Sequence, residues 1–143
     1  MKSKIFTIGL LLTIISCKTY TIPTDSFKNQ FTKTENIQEK EVEINNPLLY
    51  GNLKYSANNI KTLNVIDKNG NKITIPNSPS LEMRITHKNG KKYLFYFDTI
   101  ILENDTLKGS RSRFIPNLTR KIPFDSIAKI EVQEGGKNYN YQN

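Results

Sequence analysis

The sequence predicts an all-β domain, a small antiparallel barrel or sandwich of about seven or eight short strands, behind an N-terminal signal helix and a polar tether. Three observations carry this. From Ile60 onward, short runs rich in Ile, Val, Thr, Tyr and Phe alternate with turn residues. Two Asn-Gly pairs, Asn69 with Gly70 and Asn89 with Gly90, lie between such runs, and Asn-Gly is the strongest short hairpin signal. No part of the domain sustains the 3.6-residue apolar period of a long helix. The predicted organisation is a signal over residues 1–16, a cysteine and tether over 17–45, and the β domain over 46–143.

Met1, Lys2, Ser3 and Lys4 open the chain as a short cationic stretch. Residues 5–15 follow, apolar except for Thr7, Gly9 and Thr13. That run suits the core of a signal peptide, roughly 7–15 residues. It falls short of the ~18 or more needed to span a bilayer. Small Ser16, then Cys17, then polar Lys18 and Thr19 close it. Cys17 is the one cysteine, so a disulfide within one chain is excluded.

The order Ile14, Ile15, Ser16, Cys17 resembles the lipobox of bacterial lipoproteins: an aliphatic residue, a variable one, a small one, then an obligatory cysteine. The resemblance implies that Cys17 takes a diacylglycerol on sulfur, becomes the new N-terminus and is acylated on its amine. It implies attachment to the cell envelope. With Lys18 rather than aspartate after the cysteine, it implies the outer membrane of a Gram-negative cell. Each buried CH₂ of an acyl chain contributes about 0.8 kcal/mol, so two or more chains anchor stably.

Residues 18–36 are polar with sparse apolar groups, a composition that buries too little to order itself. Phe27 and Phe31, four apart, would share one side of a short helix capped by Asp25 or Ser26, or would dock from a loose tether. Val42 and Ile44 alternate as in a first strand, and residues 47–59 read as loop with a short strand around Leu48 to Tyr50. Strands are predicted on either side of each Asn-Gly pair, with Pro76 ending one. Tyr93, Phe95 and Phe97 face one way and Leu94 and Tyr96 the other, which reads as a central strand covered on both sides.

Asp105 and Thr106 form the next predicted turn, and Gly109 marks a bulge or bend in the strand after it. Near the end, Ala128, Ile130 and Val132 point inward, Gly135 and Gly136 stop the strand, and a polar tyrosine-bearing tail follows. The stretch "NDTLKG…KIPFDSIAKIEV" resembles a pattern of small bacterial lipoproteins, and the order over residues 93–133, a hairpin, a bent strand and a Pro-bearing turn before the last strand, is similar to SH3-like small barrels. That likeness implies no activity.

Loss of Lys2 and Lys4 with the signal takes the formal charge from +8 to +6 and leaves about 127 residues, one modest domain. Basic balance on an exported chain points to anionic headgroups or acidic partners rather than nucleic acid. One histidine, His87, beside a turn, reads as structural, and no metal or other cofactor is expected. Arg111 and Arg113 lie two apart on one strand face and, with Arg120 and Lys121, are the candidate binding residues: Arg113, Arg120 and Lys121 would converge on a phosphate or carboxylate, or the group would form a solvated face paired with Glu103 or Glu131.

The expected function is a non-enzymatic binding or structural module held at the membrane through the lipid on Cys17, facing an envelope protein, glycan or anionic headgroup. The alternatives are an immunity-type lipoprotein that neutralises a toxin and a small cell-wall or lipid hydrolase. The hydrolase would place its chemistry on His87 or Asp98.

Overall fold

The computed structural model describes residues 17–33, 38–47 and 51–142. The signal expected over 1–16 and the strand expected around Leu48 to Tyr50 lie outside them. In chain order the elements are β1 (Thr19–Ile22), helix α1 (Thr24–Phe31), β2 (Glu39–Asn45), β3 (Asn52–Asn58), β4 (Thr62–Ile66) and β5 (Lys72–Pro76). There follow β6 (Leu81–His87), β7 (Lys92–Tyr96), β8 (Ile101–Glu103), β9 (Thr106–Ser110), β10 (Thr119–Pro123), β11 (Ile127–Glu134) and β12 (Tyr141–Gln142).

All pairings are antiparallel. A six-stranded sheet runs β5-β4-β1-β11-β6-β7, and two three-stranded sheets run β10-β9-β8 and β12-β2-β3. The fold is all-β and sandwich-like, with no closed barrel. Ile22, Met83, Ile85, Ile130 and Val132 bury one face of the large sheet against Leu107 and Ile122 of the second sheet and against α1. A smaller cluster of Ile44, Tyr96 and Tyr139 joins the third sheet to the first.

The segment expected to be a tether is folded. Thr19 to Ile22 pair with Gln133 to Ile130, so β1 is an interior strand of the large sheet. After it, Pro23 sets the backbone into α1 at φ −56°, with no side-chain cap from Asp25 or Ser26. Phe27 and Phe31 stack with centroids 4.4 Å apart, and both are buried. Phe27 lies 5.9 Å from Phe124, and Phe31 meets Phe97 edge-on. Burying each ring contributes about 1.5–3 kcal/mol. The apolar residues of this stretch are few, but distant strands supply their partners, which local composition does not reveal.

Both Asn-Gly hairpins close in the same way. Gly70 N–H donates to Asp67 O and Asp67 N–H to Asn71 O; Gly90 N–H donates to His87 O and His87 N–H to Lys91 O. Only the glycine of each pair is left-handed, at φ 84° and 85°. These are three-residue loops, not two-residue ones, and the repeated "KNG" is a repeat of turn geometry. The tight two-residue turn is Asn104 with Asp105, at φ 49° and 53°, one residue earlier than expected. Asn and Asp tolerate that region better than other residues with a Cβ.

Gly109 is neither bulge nor bend. It lies within β9, where a Cβ would stand 2.6 Å from Ile100 Cδ1 and 2.8 Å from Phe95 Cγ. The strand containing Phe95 is an outer strand of the large sheet rather than a central one, yet β9 and Arg113 cover its two faces. A register shift between Ile127 and Lys129 buries Ile127 and leaves Ala128 exposed, against the alternation the sequence suggests. Residues 52–58, expected as loop, form β3 against β2.

Candidate functional site

The most heavily built polar site lies where the third sheet meets the end of the large one. Asp98 sits in a single 3-10 turn, Phe97–Thr99, that reverses the chain after β7. Its carboxylate is fully buried. Arg113 Nη2 donates to Asp98 Oδ1 at 2.8 Å, with the two side chains 1 % and 0 % exposed. Tyr141 Oη donates to Oδ2 at 3.0 Å, and Tyr55 Oη donates to the same oxygen. Both carboxylate oxygens are therefore occupied by donors.

Three tyrosine rings enclose the guanidinium of Arg113. Its Cζ stands 3.9 Å from the centroid of Tyr96, 5.2 Å from Tyr55 and 5.3 Å from Tyr139. Arg113 Nη2 also donates to Pro79 O. Among the described residues, Arg113 Nε has no hydrogen-bond partner. Beside it, Lys137 Nζ donates to Glu82 Oε1 at 3.0 Å and to Tyr96 Oη at 2.9 Å.

These contacts move the titrations of the surrounding groups. Burial first, then the Asp98 charge, push the Tyr55 and Tyr141 phenols far above their usual range; the Arg113 charge opposes this and loses. Burial works against charging Lys137, but its hydrogen bonds to Tyr96 and Glu82 outweigh that and hold the ammonium above its ordinary value. The site is a buried, neutralised clamp: it fastens the C-terminal tail to the body and leaves no unpaired carboxylate oxygen for proton transfer.

The expected basic face is therefore divided. Arg113 is withdrawn into the clamp, because β9 ends at Ser110 and residues 111–115 turn away from the strand line. Arg111 stays exposed in that loop. Arg120 and Lys121 are exposed on β10, where adjacent positions face opposite ways. Arg120 pairs in register with Gly109 and Lys121 with Lys108. The four do not converge on one ligand. Glu103 pairs with Lys108 and Glu131 with Lys129 instead.

Cys17 is exposed and free at the start of the described chain. It borders an open concavity of about 440 Å³ lined also by Lys18, Tyr20, Lys68 and Ile73. His87 lies at the β6–β7 turn, where its Nδ1 accepts the Asn89 N–H at 3.2 Å. Among the described residues no group of three or more His, Cys, Asp or Glu is placed to hold a metal, and no helix is long and apolar enough to cross a membrane.

The tyrosines are what the sequence reading missed. Tyr139 and Tyr141 stand in a tail that looks polar, and Tyr55 in a stretch that looks like loop. Nothing local marks Tyr55 and Tyr141 as partners of Asp98, 43 residues from each, or Tyr139 as a neighbour of Arg113. No protein-family model, no curated protein and no solved structure matches this chain.

Proposed function

We propose that the protein is a lipid-anchored envelope lipoprotein whose β body acts as a non-enzymatic binding or structural module. The observation that supports this best is the position of Cys17. It is exposed, and two residues later Thr19 is already paired in the large sheet. Two residues span about 7 Å at most, so a lipid on Cys17 holds the body against the bilayer instead of at the end of a leash. The apolar run before Cys17 and the small residue beside it are what an export and lipidation signal requires.

A module rather than an enzyme is favoured by how the polar groups are used. Asp98 is committed to Arg113, Tyr55 and Tyr141, and His87 to its turn. The test is metabolic labelling with a palmitate analogue. The parent chain takes up label and Cys17→Ser does not; equal labelling of the two contradicts the anchor.

A further inference from the structure

Among the described residues, two large hydrophobic side chains are prominently exposed, and they are neighbours: Phe114 at 42 % and Ile115 at 51 %. They form the tip of the loop joining β9 to β10. That tip is held from inside. Arg113, the residue before it, is locked in the clamp. Ser112 Oγ accepts the N–H groups of Phe114 and Ile115 at 3.1 and 3.2 Å, Ser110 Oγ donates to Ser112 O at 2.5 Å, and Leu118 N–H donates to Ile115 O at 3.1 Å. These bonds fix the loop backbone with Phe114 and Ile115 turned outward.

Its place in the fold indicates what covers it. In register, Thr19 faces Gln133, Glu134 faces Leu81, and Glu82 faces Tyr96. These pairs form a row across one end of the sheet, beginning two residues from Cys17. The row ends at Tyr96, over whose ring Arg113 lies. The span is three strand spacings, roughly 15 Å. Arg111 sits beside the apolar tip, exposed and without an ion pair among the described residues. At the other end of the row, Lys18 and Lys68 border the concavity at Cys17, with Asp67 also in its lining. An apolar pair beside an exposed cation matches the interfacial layer of an anionic bilayer.

We propose that Phe114 and Ile115 insert into the same membrane that holds the Cys17 lipid, with Arg111 on the headgroups, so that the body is seated at two points in one orientation. This rests on the anchor reading for which membrane is met. Two contacts fix a tilt that one lipid leaves free, and they decide which face of the sandwich looks outward.

The chain contains no tryptophan, so one placed at the tip is a clean reporter. Full chain bearing Phe114→Trp is isolated from membranes and reconstituted in phosphatidylethanolamine–phosphatidylglycerol vesicles with brominated acyl chains. The control is Lys88→Trp in the β6–β7 turn, at the far end of β6. Strong quenching at position 114 and little at position 88 is expected. Adding Arg111→Gln lowers the ratio of inserted to free tip about fivefold, and high salt acts in the same direction.

Intact mass of the same sample reads the lipid on Cys17 separately. Lipid present with equal quenching at both positions overturns the seating and leaves the anchor standing. Lipid absent overturns the anchor, and quenching at 114 alone then still supports insertion of the tip. An emission change at 114 that follows protein concentration and ignores bromolipid places a second copy on the tip and overturns the membrane contact.

Discussion

Thr19 lies opposite Gln133 in the pairing of β1 with β11, two residues beyond Cys17. The strand at the heart of the large sheet is therefore the first element after the cysteine, and the last long strand is its neighbour. The first strand of the described chain and its last long strand lie side by side in the middle of the large sheet. Anything attached at Cys17 is coupled directly to the body.

If residues 19–31 belong to the core, their apolar side chains carry stability. Phe27→Ala is expected to cost about 3–5 kcal/mol, the usual loss for a buried ring. Urea unfolding of the two proteins measures it. A difference under about 0.5 kcal/mol would mean that Phe27 belongs to a loose tether after all.

Arg113 and Arg111 are two residues apart and should behave in opposite ways. Arg113→Ala leaves Asp98 buried without its cation, and breaking such a pair costs about 3–5 kcal/mol. Arg111→Ala, on an exposed side chain, should shift stability by no more than about 0.5 kcal/mol. Equal, small effects in thermal melts would show that Arg113 is a surface residue.

The raised phenols make stability fall at high pH. A phenol held above its unfolded value keeps its proton in the native state while the unfolded chain releases one. Its contribution is fully present below the unfolded value, about pH 10, and is lost as pH rises beyond it. The loss is expected to be shallower in Tyr55→Phe and in Tyr141→Phe. Absorbance titration should find phenolate forming at these two tyrosines only as the protein unfolds. Reversible ionisation of all seven tyrosines in the native state would refute the clamp.

Two backbone sites give a further contrast. Gly109→Ala drives a Cβ into Ile100 and Phe95, and overpacking of this kind costs about 1–3 kcal/mol. At Asn104, φ 49° penalises side chains that resist the left-handed region. Asn104→Val should cost about 1–2 kcal/mol and Asn104→Gly should be nearly neutral. Chemical denaturation of the three variants gives the order directly, and Asn104→Val unfolding like the parent would contradict the turn.

Local signals were enough for much of the fold. Alternation identified β6 and most of β11, the Asn-Gly pairs marked the two long hairpins, and the phenylalanine spacing in residues 27–31 marked the face of α1. What escaped depends on contacts between distant segments. Ile22 looks like an isolated apolar residue until β11 is placed beside it, and the Phe27–Phe31 face has no visible partner until Phe124 and Phe97 are. The asparagine of each Asn-Gly pair suggested a two-residue turn, but the backbone of Asp67 and His87 closes a longer one. Arg111 and Arg113 looked like one face because strand geometry was extended past Ser110, where the strand stops. Asp98 drew notice as a carboxylate; its three partners come from β3, the loop after β9 and the tail, and no spacing rule connects them.

The claim on which the rest depends is that Cys17 bears lipid and begins the mature chain. Intact mass spectrometry of the protein extracted from its own membranes tests it most directly. The account predicts a chain starting at Cys17 with the added mass of a diacylglycerol and a further acyl group. A 143-residue chain starting at Met1, with an unmodified thiol at Cys17, would contradict it.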